Sequence, residues 1–286
     1  MKSVFFASAT VALVAASASA DTVLQSTNFN SPGFTLGQLT TDATGTTAGQ
    51  GGWYTFTSGL GGAANWNIVN DPVAGGTRGQ VLATTAGTTN SAGNNNGTRF
   101  AWTDSIHNTS RPAGETLIVC TYDFYLGDTT LSTNRYGAYM YDLSGTKILS
   151  GATVQMNTGQ LYVVGNYNNA GTVGNYTFST GTSGILARNS WVTLACTFDM
   201  VTGRFQAGYS TDGGATFSLF YVNGAAAGTA VDELDLIGST NVATGGAPTS
   251  SSTGYYDNIN VYSTPAPGAL ALLGVAGLAG ARRRRA

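Results

Sequence analysis

Glu233 and Asp235 are two side chains of this 286-residue sequence that could do acid–base chemistry together. They fall in Glu233-Leu234-Asp235-Leu236-Ile237, a run that reads as strand, and a period of two turns both carboxyls to one face. Two carboxyls flanking a glycosidic bond, one giving a proton and one attacking, perform retaining hydrolysis when they lie about 5–5.5 Å apart. Glu115 and Glu233 are the only glutamates, so an active pair has to draw on an aspartate. The competing reading of the same run is an edge strand whose carboxylates face water.

Other candidates are weaker. His107 is the only histidine, which is too few for a zinc site. A Ser–His–Asp triad lacks its Gly-x-Ser-x-Gly elbow, so His107 reads as a surface residue of the polar stretch 104–114. Oxygen ligands for calcium are plentiful in Asp71, Asp104, Asp123, Asp128, Asp142, Asp212 and Asp257, but no D-x-D-x-D-G loop gathers them. Tyr136, Tyr139 and Tyr141 form the best cluster for stacking against sugars. Strand spacing puts Tyr139 and Tyr141 on one face and Tyr136 on the other. Core packing explains the same rings.

These residues sit in a chain of short strands. Between 21 and 263 no stretch keeps a helical period. β-Branched and aromatic runs recur between Gly, Asn, Asp and Ser. The expected strands cover 22–29, 53–57, 66–70, 80–85, 99–103, 115–126, 135–143, 153–156, 160–165, 175–178, 191–201, 204–209, 216–222, 233–237 and 255–262. Gly/Thr-rich 37–52 and polar 87–98 read as loops. Asn157-Thr158-Gly159 and Thr202-Gly203 read as hairpin turns. This spacing describes one all-β sandwich or barrel. Cys120 and Cys196 each fall on an apolar strand face, so they form a disulfide candidate in an oxidising compartment, or a pair of buried thiols.

Both ends differ from this middle. Lys2, an apolar stretch 4–16 and the small residues Ala18 and Ala20 make a signal peptide over 1–20, with Asp21 as the mature start. The segment 264–286 holds Pro265 and Pro267, an uncharged run 268–281, then Arg282, Arg283, Arg284 and Arg285. As a helix, 268–281 spans about 21 Å, short for a hydrocarbon core of about 30 Å, although snorkelling arginines extend its reach. The arginines would hold that end in the cytoplasm and leave the domain outside. Residues 21–263 carry seven basic side chains against fourteen acidic ones, a net −7 with His107 neutral. That charge argues against nucleic acid as a partner.

Four resemblances rest on particular residues. Pro265-Ala266-Pro267, the Gly/Ala/Leu run and Arg282–Arg285 resemble the PEP-CTERM sorting signal of exported bacterial proteins, with Ala266 where that signal has Glu. The resemblance implies export machinery, an exosortase-like membrane protease as partner, transient anchoring by the C-terminal transmembrane helix and delivery to the cell surface or beyond. Gly79-Gln80-Val81-Leu82, the run 117–125, Trp191-Val192-Thr193-Leu194 and the closing Tyr255-Tyr256-Asp257-Asn258-Ile259-Asn260-Val261 resemble the concanavalin A-like (LamG-like) jelly-roll β-sandwich. That resemblance raises Ca²⁺ as a cofactor. Ser210-Thr211-Asp212-Gly213-Gly214-Ala215-Thr216-Phe217 resembles the Asp-box, read here as a hairpin in which Asp212 binds its own turn. The run from Glu233 also resembles the start of a laminarinase-type catalytic strand, but Gly238 stands where its second Glu would be. The expectation is an exported, non-enzymatic surface or matrix protein with weak binding to extracellular polysaccharide. The alternative is a glycoside hydrolase of the same fold.

Overall fold

The computed structural model describes residues 9–11, 21–57, 66–86, 98–128, 130–239 and 251–265. Two antiparallel sheets pack face to face. The larger has ten strands, in the order β1 (Ala9–Val11), β15 (Phe217–Asn223), β14 (Arg204–Ser210), β13 (Ser190–Asp199), β8 (Leu117–Leu126), β17 (Ser252–Thr264), β6 (Gln80–Ala86), β5 (Trp66–Asn70) and β3 (Gly37–Gln38), with β2 (Thr22–Thr27) also paired to β17. The smaller has seven, in the order β12 (Thr172–Ser179), β11 (Gln160–Asn169), β10 (Ile148–Gln155), β9 (Arg135–Tyr141), β16 (Glu233–Ser239), β7 (Thr98–Trp102) and β4 (Tyr54–Thr57). The all-β expectation holds. The short β3 and the one-turn helix α1 (Ser105–Asn108) fall in stretches that read as loop.

Period-two alternation builds the core. On β8, Ile118, Cys120, Tyr122 and Phe124 are fully buried, as the sequence pattern requires. Tyr136, Ala138 and Met140 of β9 meet them from the other sheet. Each such aliphatic or aromatic side chain contributes about 1.5–3 kcal/mol on leaving water. Buried phenols need partners, and here they tie the sheets together. Tyr122 donates to the Ala152 carbonyl at 2.7 Å. Tyr256 donates to the Ile237 carbonyl at 2.5 Å and accepts the Gly137 N–H at 2.9 Å.

The turns follow their chemistry. Gly203 sits at φ +73° in the β13–β14 hairpin, and a Cβ there would lie 2.6 Å from the Ala227 nitrogen. Asp212 closes the β14–β15 turn, accepting the Thr216 N–H at 3.0 Å and the Thr216 hydroxyl at 2.6 Å, with Phe217 buried beneath. Those bonds, with Ser210 first among them, hold its carboxyl below the usual range. The Asp-box-like segment is a structural hairpin, as its residues suggested.

Two expectations need correction. The run from Glu233 is not an edge strand. β16 lies between β9 and β7, so its carboxyls are flanked on both sides. Tyr136 is not available as a sugar platform. It is wholly buried, accepts the Ala86 N–H at 2.9 Å and donates to the Ser252 carbonyl. Cys120 and Cys196 face each other as buried free thiols. Ala18, Ala20, Pro267, the run 268–281 and Arg282–Arg285 lie outside the described residues, whereas Pro265 is the last described one. Among the described residues no helix is long and apolar enough to cross a membrane.

Candidate functional site

The face of the seven-stranded sheet turned away from the core gathers the chemistry. Core-facing Leu234 and Leu236 alternate with Glu233 and Asp235, so both carboxyls lie on this outer face. Register then chooses their neighbours. Glu233 pairs with Tyr141 and Asp235 with Tyr139. On the other flank Leu236 pairs with Ala101, which brings Trp102 beside Asp235. Trp102 in turn pairs with Tyr54, and their rings stack at 5.7 Å and 19°. Tyr139 and Tyr141 meet edge to face at 6.1 Å. Two carboxyls therefore sit between two aromatic pairs, as the face alternation of Tyr139 and Tyr141 foreshadowed.

Burial sets the protonation of this group. Asp235 is only 6% exposed, and its Oδ1 has no hydrogen-bond partner. Burial, then the charge of Glu233 and the bond between the two carboxyls, pushes the Asp235 carboxyl well above its usual range. Burial also raises Glu233. Burial therefore favours the protonated form of both carboxyls, more strongly at Asp235. Burial drives Tyr139 up to about 12, and Tyr141 higher by burial and the Asp235 charge, so both phenols stay neutral donors. Next to them Tyr141, Ile148 and Val164 make a small apolar cluster.

A second group lies further along the same face. The Arg135 guanidinium stacks on the Tyr162 ring at 3.9 Å, and Tyr162 donates to Gln155 at 3.2 Å. Gln155 and Ser239 pair with Arg135 on either side. Beyond Tyr54 a cleft of about 530 Å³ opens, lined also by Ser26, Asp104, Ser105 and Asn108. It does not contain the carboxyl pair, so the chemistry belongs to the sheet face rather than to this cleft.

The calcium expectation finds little support in the donor set. Asp123 and Asp257 hold Arg78 at 2.6 and 3.2 Å. Asp142 and Asp212 bind their own turns, Asp128 binds Asn189, and Asp71 accepts Trp191 Nε1 at 3.3 Å. Among the described residues no three acidic, His or Cys side chains converge on one point. His107 is exposed, with Nδ1 at 3.0 Å from Asp232.

Sequence reasoning placed Glu233, Asp235, Tyr139 and Tyr141 on shared faces but missed Tyr54, Trp102, Arg135 and Tyr162. Alternation within 99–103 could have set Phe100 and Trp102 apart from Arg99 and Ala101. Nothing local says that β7 abuts β16.

The fold and this face define a jelly-roll-like sandwich. No protein-family model and no curated protein matches the chain. Among solved structures it is similar to an alginate lyase of the PL-14 class from Aplysia kurodai, at 8% identity and a TM-score of 0.50, covering 80% of this chain and 98% of that one. It is also similar to an endo-β-1,4-glucuronan lyase from the fungus Trichoderma reesei, at 17% identity and a TM-score of 0.45, covering 70% of this chain and 87% of that one. At these identities the first likeness speaks for the fold alone.

Proposed function

We propose that this chain is an exported, polysaccharide-acting jelly roll that holds a neutral glycan across the outer face of its seven-stranded sheet. The observation that carries the reading is the outer-face carboxyl pair Glu233 and Asp235, set between the Tyr139–Tyr141 and Tyr54–Trp102 ring pairs. Sugar C–H faces stack on rings, while carboxyls offer donors and acceptors to vicinal hydroxyls. The negative charge of residues 21–263 disfavours a polyanion here.

The second reading is cleavage, the activity that the alginate lyase of similar fold is named for. In a hydrolytic version Asp235 would give its proton to the glycosidic oxygen. Retaining hydrolysis asks for a pair about 5–5.5 Å apart with sugar between them. Export through the signal peptide 1–20, exosortase-type release near Pro265 and a cell-surface or extracellular location complete the proposal.

Affinity electrophoresis of the full chain against neutral and uronic polysaccharides tests it. Retardation by a neutral glycan, weakened about tenfold in Trp102→Ala, is expected. Absence of retardation by every glycan sinks the reading. New reducing ends or unsaturated uronates in the same samples would move it to the catalytic version.

A further inference from the structure

A cationic side chain is enclosed between the sheets, far from the carboxyl pair in its chemistry. Arg99 lies on the inner face of β7, where apolar Ala101 is its neighbour in alternation. It is 6% exposed, and its Nε and Nη1 are buried without a hydrogen-bond partner. No carboxylate among the described residues pairs with it. Its strand neighbours are Thr57 on β4 and Gly238 on β16. The Gly238 Cα carries no side chain, which lets Thr84 of β6 and the Tyr136 ring close to 3.0 and 3.1 Å from where a Cβ would stand. Trp66 of β5 pairs with Thr84.

These neighbours share a defect. Thr57 Oγ1, Thr84 Oγ1 and Trp66 Nε1 are also buried without partners. Unpaired polar atoms are rare in interiors, and here Thr57 pairs with Arg99, Thr84 packs against its partner Gly238, and Trp66 stands beside Thr84 on the next strand. Nearby Tyr136 is already committed to Ala86 and Ser252. Water can satisfy hydroxyls and an indole N–H, but it does not neutralise a guanidinium. One buried positive charge is matched by one negative charge, and the Nε–Nη edge of a guanidinium matches the two oxygens of a carboxylate.

We propose that Arg99, Trp66, Thr84 and Thr57 form an inter-sheet site for a small carboxylate. The guanidinium takes the two oxygens side by side, and the indole N–H and threonine hydroxyls donate to their remaining lone pairs. Burial lowers the Arg99 pKa, as expected for a guanidinium left alone, and a bound carboxylate would reverse that pressure. The site does not depend on the glycan face, because it uses none of its residues.

Thermal melting of the full chain in sodium acetate, sodium glucuronate and sodium chloride at equal ionic strength tests the site, with Trp66 fluorescence as second readout. A ligand of the folded state raises the melting point. Acetate or glucuronate should raise it above chloride, and Thr84→Val, which keeps the side-chain shape, should weaken the dissociation constant about tenfold. Trp66→Phe should remove the fluorescence change while leaving a reduced melting shift. A response to acetate assigns the carboxylate to small acids, and a response to glucuronate alone assigns it to sugar acids. Equal melting in all three salts overturns the proposal. A shift of the same size in Arg99→Gln and Thr84→Val as in the parent overturns it too.

Discussion

Cys120 and Cys196 stand directly opposite each other on β8 and β13, both without exposed surface. Burial first, then the hydrogen bond to the Cys196 thiol, pushes the Cys120 thiol well above its usual pKa. The thiolate is the reactive form, so the folded protein should resist alkylation even at about pH 8.5. Iodoacetamide labelling followed by mass spectrometry should find both thiols protected when folded and both labelled after reduction and unfolding. Rapid labelling of the native protein would contradict the packing. An export compartment supplies a disulfide oxidant, and transfer of the two thiol hydrogens to it would leave a cross-strand bridge. Non-reducing peptide mapping of secreted material should find Cys120 and Cys196 peptides linked.

Asp235 makes stability depend on pH. Its folded pKa is raised above the ordinary 3.8, so the folded state binds the extra proton between those two values. Stability there falls as pH rises. Asp235→Asn mimics the protonated carboxyl and should flatten the profile, melting about 2–4 °C above the parent at about pH 8. A parallel fall in both proteins would show that Asp235 carries no excess proton.

His107 adds a smaller effect of the same sign. The hydrogen bond to Asp232, then the charge of Asp232, raises its pKa above 6.5. That contribution is complete below the unfolded pKa and disappears as pH rises through the folded one. Imidazole resonances followed by NMR should titrate above 6.5 in the parent and shift downward in Asp232→Asn. An unchanged midpoint would rule out the pairing.

Tyr256 reports on the joint between the sheets. Tyr256→Phe keeps the ring but strands the Gly137 N–H and the Ile237 carbonyl in the core. The expected cost is about 1–3 kcal/mol, read from denaturant unfolding with an unchanged slope. A neutral result would mean that water replaces the phenol.

How far the sequence was readable depends on the range of the interaction. The bounds of β5 at 66 and 70 and the inward set Ile118, Cys120, Tyr122 and Phe124 follow from alternation alone. So does the split between Tyr136 and its neighbours Tyr139 and Tyr141. Alternation separates faces but does not say which one is the core, so Tyr136 looked as useful as the others. Strand neighbours are a long-range matter. Glu233 looked like an edge residue because nothing near it announces that β9 and β7, far earlier in the chain, enclose β16. The same gap hid Trp102, Tyr54 and Arg135 from the candidate site. Arg99 gave no local sign of burial, since a strand that alternates Arg99, Ala101 inward reads more naturally with its arginine in water.

In the larger sheet β2 and β17 run side by side, and Thr22 at the start of β2 pairs with Ser263 near the end of β17. Force applied between the two ends would therefore act across one rung at a time. The ladder would open like a zipper from that corner, with each hydrogen bond loaded alone, instead of shearing as a set. A sandwich held at one end and drawn by the other should peel at low load, beginning with β2. Single-molecule stretching of residues 21–265 from its ends would show an early, small extension before the core of β8 and β13 gives way.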